Sequence, residues 1–293
     1  MSVSSPVQRS IARTITTAPP APGFGGPGHT AVFVVDPNEF TEQDPFILLA
    51  DDRLDLPEGA PLGGEHPHAG FEIATFVVEG GLNEGDEGVL HAGDVLWTTA
   101  GRGIIHGERA VPLGPTRILQ LWFALPAKDR WTEPGFETIT RAAAPVRREP
   151  GVEARVYSGA SGELRVQRRE HVPLTLVDIQ LDASAVFEQD LPASYNGFLY
   201  VLDGAVRVGF DALLHEAQVG WLDRPAADGP SVLQLTGGDA GARVVLYAGQ
   251  AQNFPIVTHG PFVGGSRADL MRMSREYLGG QYVRMSELVR MHG

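Results

Sequence analysis

The sequence predicts an all-β protein: two similar β-barrels in tandem, followed by a short C-terminal helix. Three observations lead there. Gly and Pro together make up about a fifth of the 293 residues, a share that suits many short strands joined by tight turns. The apolar runs are of strand length and stop at Gly-Gly, Glu-Gly and Ala-Gly turns. A long-range repeat, with Val89-Leu-His-Ala-Gly-Asp-Val-Leu-Trp97 answered by Leu213-Leu-His-Glu-Ala-Gln-Val-Gly-Trp221 at an offset of 124, marks a duplicated unit.

Taken in order, Arg9-Ser-Ile-Ala-Arg-Thr-Ile-Thr-Thr17 is rich in β-branched residues and reads as a first strand. It lies in a segment, Met1 to Val35, with Arg9 and Arg13, many Ser and Thr and no acid before Asp36. Transit peptides share that composition, but a first strand accounts for it without export. Phe46 to Ala50, Ile73 to Val78, Val95 to Thr98 and Arg117 to Leu125 are the strands of the first barrel. The repeat extends from Phe76-Val-Val-Glu-Gly80 onto Tyr200-Val-Leu-Asp-Gly204, and from Arg117 to Ala124 onto Arg243 to Ala248 at nearly the same offset. A first unit over 1–130, a proline-punctuated connection over 131–155 and a second unit over 156–293 follow. Near the end, Ser266-Arg-Ala-Asp269 opens a helix over Leu270 to Leu278 that Gly279-Gly280 stops. Met271, Met273, Met285 and Met291 lie in this tail, which is expected to dock on the protein's own barrel.

The charge balance narrows the function. With 23 Lys and Arg against 36 Asp and Glu, the net charge is −13, a sign that repels phosphates, so neither nucleic acid nor a membrane surface is an expected partner. The absence of Cys excludes disulfides, thiolate nucleophiles and thiolate metal sites, leaving His and carboxylate for any metal. There is no apolar stretch of the ~18 residues a membrane span needs, and no apolar run of a secretory signal near Met1; a cytoplasmic protein is expected. Gly23 to Gly28 lacks the Lys-Ser/Thr end of a phosphate loop, so nucleotide binding is not expected.

The chemistry concentrates in two short segments, Glu65-His66-Pro67-His68-Ala69-Gly70-Phe71-Glu72 and Gly101-Arg102-Gly103-Ile104-Ile105-His106-Gly107-Glu108. In extended backbone the period of two sets His66 with His68, and His106 with Glu108, each pair on one face. Two neighbouring strands that turn such pairs inward build a site of three imidazoles and one carboxylate. That set suits a divalent first-row ion and leaves positions for water, O₂ or a chelating substrate. An isolated His-x-His is a weak signal; the second pair, arriving after another strand and turn, gives the pattern its weight. Glu72 falls four residues after His68, on the same face if the strand is regular, which places it beside the ligands or in the cavity wall. Phe71 and Trp97 are candidate aromatic walls, with ordinary core packing as the alternative. His91 and His215 occupy matching turn positions and share a structural role.

The segments His66-Pro-His-Ala-Gly-Phe-Glu72, Gly93-Asp-Val-Leu-Trp-Thr-Thr-Ala-Gly-Arg-Gly-Ile-Ile-His-Gly-Glu108, Leu119-Gln-Leu-Trp122 and Leu125-Pro-Ala-Lys-Asp129 resemble the pirin family. The resemblance runs from Asp44-Pro-Phe-Ile-Leu-Leu49 to Gly260-Pro-Phe-Val263. It implies two tandem cupin barrels of jelly-roll type, the first holding iron, as Fe(II), through His66, His68, His106 and Glu108, and the second metal-free. The repeat agrees: at the offset of 124 the four ligands fall on Asp190, Pro192, Pro230 and Val232. Departures from the family pattern are the Gly-rich insert Gly23 to Gly28 and the Pro/Gly stretch Pro57 to Gly64, both near the expected pocket mouth.

The resemblance implies one of two functions for a monomeric protein. The first is 2,3-dioxygenation of quercetin or a similar flavonol, a small aromatic substrate taken with O₂, in which Glu108 accepts the substrate's hydroxyl proton. The second is non-catalytic: an iron-holding regulator that binds a protein partner and responds to the iron's redox state. Both use the same four ligands.

Overall fold

Valine, isoleucine and aromatic runs bounded by glycine turns pair into sheets throughout the computed structural model, which describes residues 6–85, 88–111, 113–166, 168, 171–210, 212–225 and 229–292. The chain forms two compact units. One comprises Ala18–Ala143 and Gln252–Gly293, the other Met1–Thr17 and Ala144–Ala251.

The unit containing His66 to Glu108 has a seven-stranded sheet in the order Gly135–Ile139, Val95–Thr99, Phe71–Glu79, Thr116–Ala124, Phe46–Leu54, His29–Val35 and Ala21–Pro22. Phe71–Glu79 lies near the middle of this sheet, and all its residues but Glu79 are buried, which explains its continuous apolar run. A second sheet joins Val283–Arg284, Ile104–Ala110, Gly81–Asn83 and Val89–His91, with Pro61–His68 paired to Ile104–Ala110. Val77, Leu96 and Ile118 of the first sheet pack in one core with Leu62, Leu82, Leu90 and Ile104 of the second.

The other unit is a single eleven-stranded sheet whose spine is Leu174–Leu181, Pro230–Gln250 and Tyr195–Val208. Its core gathers Val156, Val177, Phe187, Leu199, Leu235 and Val244. The alternately buried strand Ile11–Thr16 is present as the sequence predicts, but it pairs antiparallel with Gln218–Leu222 and so belongs to this second sheet. Its 1–17 segment is therefore not part of the first unit, where chain order had set it. The segment 131–155 also differs from a plain connection. Gly135–Ile139 pairs with Val95–Thr99, and Val146–Glu149 pairs with Val152–Ser161. Pro134, Pro145 and Pro150 stand at the strand ends and turns between them, where a missing N–H costs nothing.

The helix Arg267–Leu278 starts at Ser266, whose hydroxyl accepts the Asp269 N–H, and ends at Gly279. Asp269 does not reach back to Ser266; its carboxylate accepts from the Gly265 N–H and Arg130. The tail docks on the unit containing His66 to Glu108 and not on the unit it follows in sequence. Met273 is buried with Ala69, Phe262 and Tyr282, and Met285 and Leu288 enter the core of the two sheets. Met271 is exposed, and the side chain of Met291 lies outside the described residues. Among the described residues no helix is long and apolar enough to cross a membrane.

Candidate metal centre

The antiparallel pairing of Pro61–His68 with Ile104–Ala110 sets His106 directly across from His66 and Ile104 across from His68. Residues two apart on one strand, and residues directly opposite on its neighbour, share a face. The three imidazoles therefore converge, with ring centroids 4.6 Å (His66 to His106), 4.8 Å (His66 to His68) and 5.0 Å (His68 to His106) apart. Beyond His106 the register shifts, the partner strand running from His66 to Leu62 while this one runs from His106 to Glu108. Gly107 lies against this irregularity, where an added Cβ would come within 3.2 Å of the Glu65 Cα. Two further glycines hold the neighbouring turns. Gly70, at φ +89°, packs under the Val263 carbonyl, and Gly103, at φ +142°, packs against the Tyr282 ring.

The ligand atoms fall into two groups that share His106: His66, His68 and His106, then Glu84, His106 and Glu108, each group within 4.8 Å. The donor chemistry fits a divalent first-row cation. Nδ1 of His66 donates to the Gly64 carbonyl at 2.9 Å, which leaves Nε2 with its lone pair. His68 is buried, and burial, then the neighbouring His106 and His66, push its pKa well below the usual histidine value, so the ring is neutral. Among the described residues neither nitrogen of His68 has a hydrogen-bond partner, an arrangement that costs free energy unless something binds there.

Glu108 is buried, and its Oε1 accepts from Gln120 Nε2 at 3.4 Å while its Oε2 has no hydrogen-bond partner among the described residues. Gln120 in turn accepts from Trp122 Nε1 at 3.1 Å. Trp122 sits edge-on to His68 at 4.9 Å and tilted on Phe71 at 4.4 Å, and Phe71 meets His68 at 5.3 Å. Phe71 thus borders the cluster beside Trp122.

Glu72 and Trp97 are placed elsewhere. Glu72 accepts from Thr99 Oγ1 at 2.7 Å and from Trp97 Nε1 at 3.4 Å, and it joins neither ligand group. The cause is the turn at Ala69-Gly70, which ends one strand and starts another in a different sheet, so the count of two no longer carries across. Trp97 packs on Phe123 at 5.2 Å, as a core residue.

Four neighbours escape sequence reasoning. Gln120 and Trp122 share a strand face, and their alternation was the available signal. Phe24, on the Gly-rich insert, is 67% exposed, covers Gly63 and lies 6.2 Å edge-on from His66. Its loop is anchored by His29, whose Nδ1 accepts the Gly25 N–H and whose Nε2 donates to Asp52 at 2.7 Å. Glu84, only 3% exposed, has its Oε2 3.5 Å from His106 Nδ1. Burial, then Glu108, raise its pKa, with His106 acting in the opposite sense. It follows Asn83, which pairs with Arg109, so the ladder delivers Glu84 beside Glu108.

A cavity of about 190 Å³ opens beside Glu84, His106 and Glu108, with Arg109, Arg284 and Met285 also in its wall. Arg284 is paired with Glu65 at its rim. Among the described residues the second unit offers no matching group of donors. There Pro192 pairs with Pro230 and Asp190 with Val232, so the ladder counterpart of His106 is Val232 and not Pro230. The offset on that strand is two residues longer than the repeat suggests. Asp190, Pro192 and Val232 make no imidazole site. The shared role of His91 and His215 is visible in their turns: the His91 N–H donates to Asp94 and the His215 N–H to Gln218, each at 2.9 Å.

Two all-β units, one carrying three converging histidines on paired strands, define a bicupin. Residues 32–123 match the family model described as Pirin, and 176–283 match that of the Pirin C-terminal cupin domain. A pirin-like protein of Solanum lycopersicum is 31% identical over 243 residues, which is 82% of this chain and 82% of that protein. The solved structure of GK1651 from Geobacillus kaustophilus is similar with a TM-score of 0.78 at 33% identity, covering 86% of this chain and 100% of that one. A quercetin 2,3-dioxygenase from Acinetobacter baumannii has the same fold, with a TM-score of 0.81 at 24% identity over 94% and 99% of the two chains. The chain belongs to the pirin family.

Proposed function

We propose that this protein is an iron-dependent dioxygenase that opens the ring of quercetin or a similar flavonol, with the ion held by His66, His68, His106 and Glu108. The observation that carries the reading is the convergence of a buried, neutral His68, with both nitrogens unpartnered among the described residues, on His66 and His106, the latter of which also groups with Glu108. An Fe(II) held by these four residues would supply a Lewis-acidic, redox-active centre. Glu108 takes the substrate's hydroxyl proton on Oε2, the oxygen that Gln120 does not hold. Gly64 and Trp122 keep the His66 and His68 rings oriented, and Phe71 with Trp122 keeps water from the apolar side of the cluster. The net reaction consumes one O₂ and releases CO. The fold shared with a quercetin 2,3-dioxygenase supports the choice of substrate class.

The test is quercetin consumption with CO detection, using protein loaded anaerobically with Fe(II) and then given O₂, beside His66→Ala and Glu108→Ala. Turnover that disappears in both variants is expected. Stoichiometric iron with quercetin untouched would remove the activity.

That second outcome belongs to the alternative reading, an iron-holding regulator of a protein partner. The cavity favours it: about 190 Å³ is below the ~300–1,000 Å³ of ordinary small-molecule pockets, and its rim carries the Arg284–Glu65 ion pair. A monomeric, cytoplasmic state is part of both proposals.

A further inference from the structure

Glu84 is a carboxylate in an expensive place. It is buried to 3% exposure, and among the described residues neither of its oxygens makes a hydrogen bond. Buried carboxylates are rare because desolvation disfavours them strongly. The fold nevertheless places this one at the end of a paired strand: Glu84 follows Asn83, which pairs with Arg109, and the Glu84 N–H is tied to the Gly88 carbonyl at 3.1 Å. Its side chain lies beside His106 and Glu108, with His106 Nδ1 3.5 Å from Oε2.

We propose that Glu84 is a positioning residue of the metal centre: its carboxylate accepts the Nδ1 proton of His106, which fixes the ring's tautomer and presents Nε2 to the ion. The inference rests on the metal-binding reading given above. Carboxylate–histidine–metal arrays of this kind set both the orientation and the basicity of the imidazole. His66 is held in the equivalent way by a carbonyl, that of Gly64. His106 differs in facing a carboxylate where His66 faces a carbonyl. Glu108 lies farther from the same nitrogen, at 4.0 Å, and its Oε1 already accepts from Gln120. The two carboxylates therefore divide the work, Glu108 toward the ion and Glu84 toward the ring.

The experiment compares the full-length protein with Glu84→Ala, Glu84→Gln and His106→Ala. Each is stripped of metal and titrated with Co(II), followed by its visible absorption, and each metal-free form is also melted. Glu84→Ala should bind Co(II) about 10–100-fold more weakly. Glu84→Gln, whose amide oxygen still accepts from Nδ1, should recover most of that loss. The metal-free Glu84→Gln should melt at the temperature of the parent, because its amide keeps an acceptor for Nδ1. Unchanged Co(II) affinity in Glu84→Ala would overturn the inference. So would a metal-free Glu84→Gln that melts lower in step with its affinity loss, which marks a structural role, or a Glu84→Gln as weak as Glu84→Ala, which marks direct ligation. If the parent protein itself takes up no Co(II), the metal-binding reading fails first, and the two failures are distinguished.

Discussion

Glu108 is tied to Trp122 through the side chain of Gln120, which accepts from the indole Nε1 at 3.1 Å and donates to the carboxylate at 3.4 Å. The indole that holds Gln120 also borders His68 at 4.9 Å, so one strand steadies a carboxylate and an imidazole of the same cluster. Gln120→Leu keeps the apolar volume and removes the link. Co(II) affinity should fall by about tenfold, the low end for a lost partner of a metal ligand, while the metal-free protein keeps its melting temperature. An unchanged dissociation constant would show that Glu108 needs no tether.

Phe24 is a large apolar side chain left exposed beside His66, on the Gly-rich insert that departs from the family pattern. Phe24→Ala should change stability by no more than about 0.5 kcal/mol, as for most surface substitutions. Loss of one aromatic contact, about 0.5–1.5 kcal/mol, should weaken quercetin binding several-fold, read by equilibrium fluorescence quenching and by KM, with kcat held. A fall in kcat at constant KM would instead place Phe24 in the chemistry.

Gly70 joins the strand of His66 and His68 to that of Phe71. A Cβ on it would lie 1.9 Å from the Val263 carbonyl oxygen, in a backbone conformation at φ +89°. Gly70→Ala should therefore cost at least ~3 kcal/mol in urea denaturation, from overlap and strain together, and release the tail that packs there. A loss under ~1 kcal/mol would mean that the Val263 segment yields easily.

Asp52 gives the stability a pH dependence of definite sign. Burial raises its pKa above the unfolded value of 3.8, with the His29 hydrogen bond and charge acting against the shift. The folded protein thus holds this proton at a pH where the unfolded chain has released it. The stabilisation is fully present below about pH 3.8 and is lost as pH rises through the folded value, at up to about 1.4 kcal/mol per pH unit. Asp52→Asn keeps an acceptor for His29 and removes the titration. Its stability relative to the parent should climb from acid pH towards neutrality and then level. A difference that stays constant from pH 4 to pH 8 would contradict this account.

The imidazole cluster is legible in sequence because its information is local. His66-x-His68 and His106-x-Glu108 each carry the strand period within three residues, and one pairing brings them together. Glu84 is illegible because only the ladder Asn83 to Arg109 assigns it a place, and nothing in Asn83-Glu84-Gly85 announces a site. Glu72 misleads for the opposite reason: its spacing from His68 is right, but the chain turns into another sheet at Gly70. The duplicated barrels are legible from the repeat, whereas the pairing of Ile11–Thr16 with Gln218–Leu222 depends on contacts some two hundred residues apart. Periodicity reports which way a side chain points, not which strand it will meet.

The unit with the imidazole cluster is built from Ala18–Ala143 and Gln252–Gly293, with Met273, Met285 and Leu288 in its packing. A ribosome making this chain from its N-terminus therefore exposes His66, His68, His106 and Glu108 long before the residues that close the core around them. Folding during synthesis normally completes the earlier domain first; here the unit of Met1–Thr17 and Ala144–Ala251 is complete in sequence before the one that carries the imidazoles. During that interval the nascent chain carries its imidazoles without the apolar packing that the final segment brings.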